Sequence, residues 1–195
     1  MYTGPLIDDH AILELLPIEY REFLTQCNGY VAFHGGLHVR GACINPTWHS
    51  LRYWWFGDGA LPALYSAIDQ NDIPFAEDAL GNQFLLRGGI VHRLSAELGE
   101  LNSLEVDLRG FDTCVREHPV GYLSLEPLEE FRAKGGMLEP GQLLSVYPPF
   151  VTEESKTGVS YRAIPTEDRI RFLADFARQI ADVPDRARIR VQVRK

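Results

Sequence analysis

Ile73-Pro74-Phe75-Ala76-Glu77-Asp78-Ala79-Leu80-Gly81-Asn82-Gln83-Phe84-Leu85-Leu86-Arg87-Gly88-Gly89-Ile90-Val91-His92-Arg93-Leu94 is the stretch whose reading decides the fold. Three short apolar runs, Ile73 to Ala76, Gln83 to Leu86 and Ile90 to Leu94, are separated by Asp78-Ala79-Leu80-Gly81-Asn82 and by Gly88-Gly89. Asp and Asn side chains bond the local backbone, and glycine enters left-handed φ without a Cβ clash, so both separators suit reversals of direction. The chain folds back on itself at each, and the three strands are expected to pair antiparallel.

Towards the N-terminus, Pro17 suits a first helical position, where its missing N–H would have had no intrahelical partner. Tyr20, Phe23, Leu24 and Cys27 follow at i, i+3, i+4 and i+7 and make one apolar face, and Asn28-Gly29 supplies a left-handed stop. Tyr30 to Phe33 and Leu37 to Val39 flank His34-Gly35-Gly36 as a hairpin. Trp48 to Phe56 is aromatic and irregular, and Leu61 to Asp69 reads as a short helix.

Towards the C-terminus, Ser103 is expected to cap a helix carrying Leu104, Leu108, Phe111 and Val115, although Gly110 costs it about 1 kcal/mol. Glu126 to Lys134 is a further helix, Pro140 to Phe150 holds a strand ended by Pro148-Pro149, and Val159 to Ile164 is another strand. Thr166 caps the strongest helix, with Ile170, Leu173, Ala174, Ala177 and Ile180 aligned. Ile189, Val191 and Val193 alternate with Arg188, Arg190, Gln192 and Arg194, a period-two strand with one basic face. Hairpins beside helices, without regular βαβ alternation, make the fold class α+β: a central, mostly antiparallel sheet with flanking helices. Residues 1–195 are read as a single domain.

A composition of 45% hydrophobic and 24% charged residues is that of a globular chain and argues against large-scale disorder. Met1 to His10 carries no basic cluster and no apolar segment, and no apolar run approaches the ~20 residues that cross a bilayer, so the expected location is cytoplasmic. Cys27, Cys43 and Cys114 are odd in number and widely spaced, which reads as free thiols. The formal charge is −8, but Asp185 to Lys195 holds five basic residues and one acidic, a local +4, so the remaining body carries −12. That field repels phosphate backbones and disfavours nucleic acid as a direct partner. It speeds encounter with a basic protein. It also simply keeps a protein soluble.

No P-loop, dinucleotide fingerprint or nucleophile elbow is present. His34 and His38 are four apart, but Gly35-Gly36 between them favours a turn and removes the helical geometry of a metal pair. His10, His49, His92 and His118 have no partner at ligand spacing, and no cofactor is called for. Glu77-Asp78, with Asn82 four residues after Asp78, is superficially a carboxylate cluster; adjacent strand residues point to opposite faces, which argues against joint catalysis, and turn chemistry explains Asp78 and Asn82 more simply than a partner contact does. Trp48, Tyr53, Trp54, Trp55 and Phe56 form the densest aromatic patch. If that segment is extended, one of Trp54 and Trp55 faces outward as an interface anchor, although aromatics fill cores for the same reason.

Leu16-Pro17-Ile18-Glu19-Tyr20-Arg21-Glu22-Phe23-Leu24 running into Asn28-Gly29 resembles the opening helix of the SUKH superfamily, also called the Smi/Knr family. The stretch from Ile73 to Leu86 is similar to that family's central element, in which an acidic residue and a glycine turn link two strands. The resemblance covers about residues 13 to 115. Tyr30 stands where a second glycine is common, and residues 119–195 extend past the matched part, packed on the same domain or carrying a surface of their own. What the resemblance implies is a non-enzymatic scaffold with no shared catalytic residues. Many bacterial members are immunity proteins that neutralise a cognate toxin domain, often a nuclease or deaminase; fungal relatives regulate cell-wall assembly through protein contacts. The expected function is toxin occlusion by an acidic, aromatic-bearing surface. A regulatory module with an endogenous partner and an unrecognised enzyme are the alternatives. Glu77 and Asp78, then Trp54 and Trp55, then Glu97 and Glu100 are the candidate partner-binding residues.

Overall fold

The computed structural model describes residues 2–183. Seven strands form one sheet in the order of the sequence, each antiparallel to the next: β1 (Tyr2–Thr3), β2 (Tyr30–Ala32), β3 (Leu37–Val39), β4 (Ile73–Asp78), β5 (Gln83–Arg87), β6 (Ile90–Ser95) and β7 (Glu100–Ser103). The deciding stretch supplies its middle. Asp78 N donates to Asn82 O at 3.0 Å and closes the β4–β5 turn, with Gly81 at φ 95° as the left-handed residue.

Before β4 come α1 (His10–Glu14), α2 (Ile18–Gln26), α3 (Leu51–Trp55) and α4 (Leu61–Leu64). After β7 come α5 (Leu108–Glu117), α6 (Pro119–Leu123) and α7 (Glu126–Ala133), then an antiparallel pair β8 (Gln142–Tyr147) and β9 (Ser160–Pro165), and last α8 (Thr166–Ile180). The architecture is α+β, a central antiparallel sheet with flanking helices.

Helices and loops cover both faces of the sheet at its centre, around β4 and β5. Along β5, Phe84 and Leu86 enter one cluster with Tyr20, Leu24, Phe75 and Phe111. Leu85, between them, enters a second with Trp54, Leu61, Ile170 and Leu173. Alternate side chains leave a strand in opposite directions, so each layer of packing receives half of β5. The consequence for β4 is that all six of its residues are buried. Full burial of each apolar side chain contributes about 1.5–3 kcal/mol. Residues beyond 119 supply Leu143, Ile170, Leu173 and Ala174 to the second cluster, and Leu144 N donates to Ala79 O at 2.8 Å.

Several local expectations are revised. Ser103 ends β7, and the helix after it starts later: Asp107 caps α5, its side chain accepting from Gly110 N at 2.8 Å. Gly110 has a packing reason, since a Cβ there would lie 2.9 Å from Val106 Cβ. The aromatic stretch is not extended. Ser50 caps α3 by accepting from Tyr53 N, and Trp54 and Trp55 enter different clusters. Successive helical side chains diverge by about 100°, so a helix wedged between two cores can bury both. Cys27, Cys43 and Cys114 are free thiols, and burial pushes the Cys43 thiol up to about 12. The expected strand at Ile189 to Val193 lies outside the described residues.

Candidate partner-binding surface

Four of the six residues expected to meet a partner lie inside the molecule. Glu77 and Asp78 are 0% exposed, Trp54 1% and Trp55 5%. A sheet covered on both faces has no outward side at β4, so the alternation that would expose one carboxylate of an adjacent pair does not apply. Both carboxylates are framework.

Glu77 Oε1 lies 2.9 Å from His38 Nδ1, and Glu77 Oε2 accepts from Arg40 at 2.8 Å and from Gln83 Nε2 at 3.1 Å. Arg40 also donates to Gln83 Oε1 at 2.6 Å and to the Pro74 carbonyl at 2.8 Å, with its guanidinium 5.4 Å from the Trp54 ring centre. His38 Nε2 continues the chain to His49 Nδ1 at 2.8 Å, and His49 Nε2 reaches Asn28 O at 2.9 Å. His49, which has no ligand-spaced neighbour in sequence, therefore joins His38 through space. Burial alone would raise the Glu77 carboxyl; Arg40 and His38 outweigh it and hold the group below its ordinary range. Burial, then the neighbouring His38, pushes His49 down to about 4. Asp78 Oδ1 accepts from Leu80 N and Asn82 N, and Oδ2 accepts from Asn82 Nδ2 and Arg93 at 2.8 Å. Burial raises its pKa despite Arg93. These groups bond one another and weld the hairpin, β4 and the segment before α3.

Glu97 is also largely committed. With its side chain 14% exposed, it accepts from Phe150 N and Val151 N at 3.3 Å and faces Arg169 at 3.9 Å. Glu100 is exposed on β7, an edge of the sheet. It lines neither of the two grooves described next.

The first groove, of about 430 Å³, runs between α2 and α5. Tyr20, Leu37, Val39, Phe75, Phe111 and Val115 make its buried floor, and half-buried Phe23 and Tyr30 make its accessible wall. The rings form a continuous series: Tyr20 and Phe23 stack at 6.0 Å, and Phe23 meets Tyr30 edge-on at 6.2 Å. Glu19, Glu22 and Asp112 stand on the rim with Arg109 and Arg116. Arg116 pairs with Asp112 at 2.8 Å, Arg109 approaches Glu19 across the groove at 3.8 Å, and Glu22 has no ion pair among the described residues. Burial, and next the Asp112 charge, raises the Tyr30 phenol, while Arg116 opposes the shift.

The second groove, of about 700 Å³, is lined by Phe33, His34, Gly35, Arg132 and Met137 among others, with Met137 69% exposed. No carboxylate lines it, and Arg132 is its full charge. It has the wrong sign for a basic partner. His34 is exposed there at the hairpin turn, as its glycine neighbours imply.

Sequence reasoning counted Phe23 into an inward helix face and passed over Glu19, Glu22, Tyr30 and Asp112. The available signal was the i, i+3 spacing of Glu19 and Glu22 on the side of α2 that also carries Phe23.

No helix among the described residues is long and apolar enough to cross a membrane. No family model matches the chain, and no curated protein matches it. Among solved structures, the chain is similar to the crystal structure of Atu4351 from Agrobacterium tumefaciens, with a TM-score of 0.52 and 11% sequence identity, over 88% of this chain and 81% of that one. At that identity the likeness establishes a shared α+β fold.

Proposed function

We propose that this chain is a non-enzymatic protein-binding module of immunity type, which occludes a basic cognate toxin domain in the cytoplasm through the α2–α5 face. The carrying observation is that an aromatic wall and three rim carboxylates meet in one open groove. Aromatics bury large area with few rotors to freeze, which makes them efficient anchors. A nuclease or deaminase toxin presents a basic substrate cleft, and a body of −12 is complementary to it. The likeness of the opening helix and the central strand-turn-strand to the SUKH superfamily supports the same reading. So does the interior, where His38, His49, Arg40 and Glu77 bond one another rather than face a cavity.

The test is capture from native cells, identification of what co-purifies, and co-expression of the two genes. The expected partner is a basic toxin domain encoded beside this gene. Its toxicity should disappear on co-expression, and its binding should weaken by roughly tenfold or more as salt shortens the reach of the field. A partner bound with a flat salt dependence, or toxicity that persists on co-expression, would overturn the proposal.

A further inference from the structure

The α2–α5 groove holds about 430 Å³ above a floor of buried side chains, which is room for one or two long side chains rather than a whole partner helix. Its chemistry is unusual for an apolar cleft. Phe23 and Tyr30 line it together with carboxylates, and one of those carboxylates, Glu22, has no ion pair among the described residues. A guanidinium satisfies both demands: its plane stacks on aromatic rings, its fork of N–H donors matches a carboxylate, and its three-carbon stem lies against apolar surface. An ammonium is a compact, strongly hydrated charge that stacks less well. A carboxylate ligand would be opposed by Glu22, and would have to draw Arg109 or Arg116 away from Glu19 or Asp112.

We infer that the groove is a receptor for a single arginine side chain of the partner, with the guanidinium held between Glu22 and the Phe23–Tyr30 wall. This rests on reading the α2–α5 face as the docking surface. Arg109 and Arg116 do not fill the role themselves, because they sit highly exposed on the rim and are drawn to Glu19 and Asp112. Arg109 acts instead as a competing cation, displaced or bent aside when the partner's arginine enters.

The experiment needs no partner. N-acetyl-arginine methylamide is titrated into the isotopically labelled full chain, with the lysine and norleucine methylamides as controls, and backbone amide shifts are followed. The arginine probe should give saturable shifts at Glu22, Phe23 and Tyr30 with affinity in about the millimolar range, and the lysine probe should bind several-fold more weakly. Glu22→Gln should weaken the arginine probe by about three- to tenfold, and Arg109→Ala should tighten it by about twofold. Glu22 is exposed and unpaired among the described residues, so its variant is expected to fold; an unchanged amide spectrum elsewhere checks this. Equal response to lysine or norleucine, shifts confined to other residues, or an undiminished response in Glu22→Gln would overturn the inference. Probe binding without a neighbouring toxin gene would sink the immunity reading and leave the arginine receptor standing.

Discussion

The interior around Glu77 and the groove around Glu22 are built from the same materials, carboxylates beside arginines and aromatic rings, yet they do opposite things. Glu77 has both oxygens engaged by His38, Arg40 and Gln83 in a fully enclosed space. Glu22 stands on a helix surface with its acceptors turned to water and no ion pair among the described residues. A carboxylate whose acceptors are all engaged internally can hold a fold together but has nothing left to offer a ligand. One whose acceptors meet only water can exchange that water for a partner's donor.

The strongest way to break this contrast is Glu77→Ala. Removing one partner of a buried ion pair strands the Arg40 charge, and the expected loss is about 3–5 kcal/mol, read as a lower urea midpoint. A variant of unchanged midpoint that no longer captures the partner would put Glu77 on the surface and dissolve the distinction.

Acid acts on the interior next. The His49 imidazole titrates at about 6.5 when unfolded and at about 4 in the folded chain. Between those values the unfolded chain binds a proton that the folded chain refuses. The stability contributed by neutral His49 is therefore complete above pH ~6.5 and is lost as pH falls toward ~4, by up to about 3 kcal/mol. Glu77, held below its ordinary range, loses its contribution in the same direction at lower pH. Urea midpoints across this window should slope downward with acid in the wild type and less steeply in His49→Asn. Equal slopes would remove His49 from the account.

Much of this fold was legible because its middle is local. Asp78 to Asn82 and Gly88-Gly89 are turns whose chemistry lies within a few residues, so three strands and their antiparallel pairing could be read directly. The helix after Pro17 was equally local, but α2 ends at Gln26 with Cys27 already extended, so Gly29, at φ 77°, turns the chain beyond the helix end rather than capping it. What sequence could not carry was the second covering layer. Whether β4 is half-exposed or enclosed depends on elements distant in the chain, α3 among them, and that decided the fate of Glu77 and Asp78. Trp54 and Trp55 went the same way once their segment proved helical. His38 and His49 are eleven apart and meet only because the chain returns to β3 through Gly41, whose N donates to His49 O at 3.0 Å. The groove was missed for the converse reason: Phe23 follows the apolar spacing of its helix, but α5 does not close over it.

The gentlest test sharpens the groove side of the contrast. Glu19→Gln with Glu22→Gln removes two rim charges from a helix surface where neither carboxylate supports the core, so the urea midpoint should fall only slightly, reflecting the about 0.3–1 kcal/mol that a first-turn carboxylate such as Glu19 contributes. Partner capture should nevertheless weaken by about three- to tenfold at low ionic strength, and the difference from wild type should shrink as salt is raised, because screening removes the field that the two charges supplied. Losing Glu19 also frees Arg109, which then repels an incoming cation unopposed, so the double variant should lose more than Glu22→Gln alone. A salt dependence identical to that of the wild type would mean that the rim carboxylates take no part in docking, and that whatever this face binds, it binds through Phe23 and Tyr30 without help from charge.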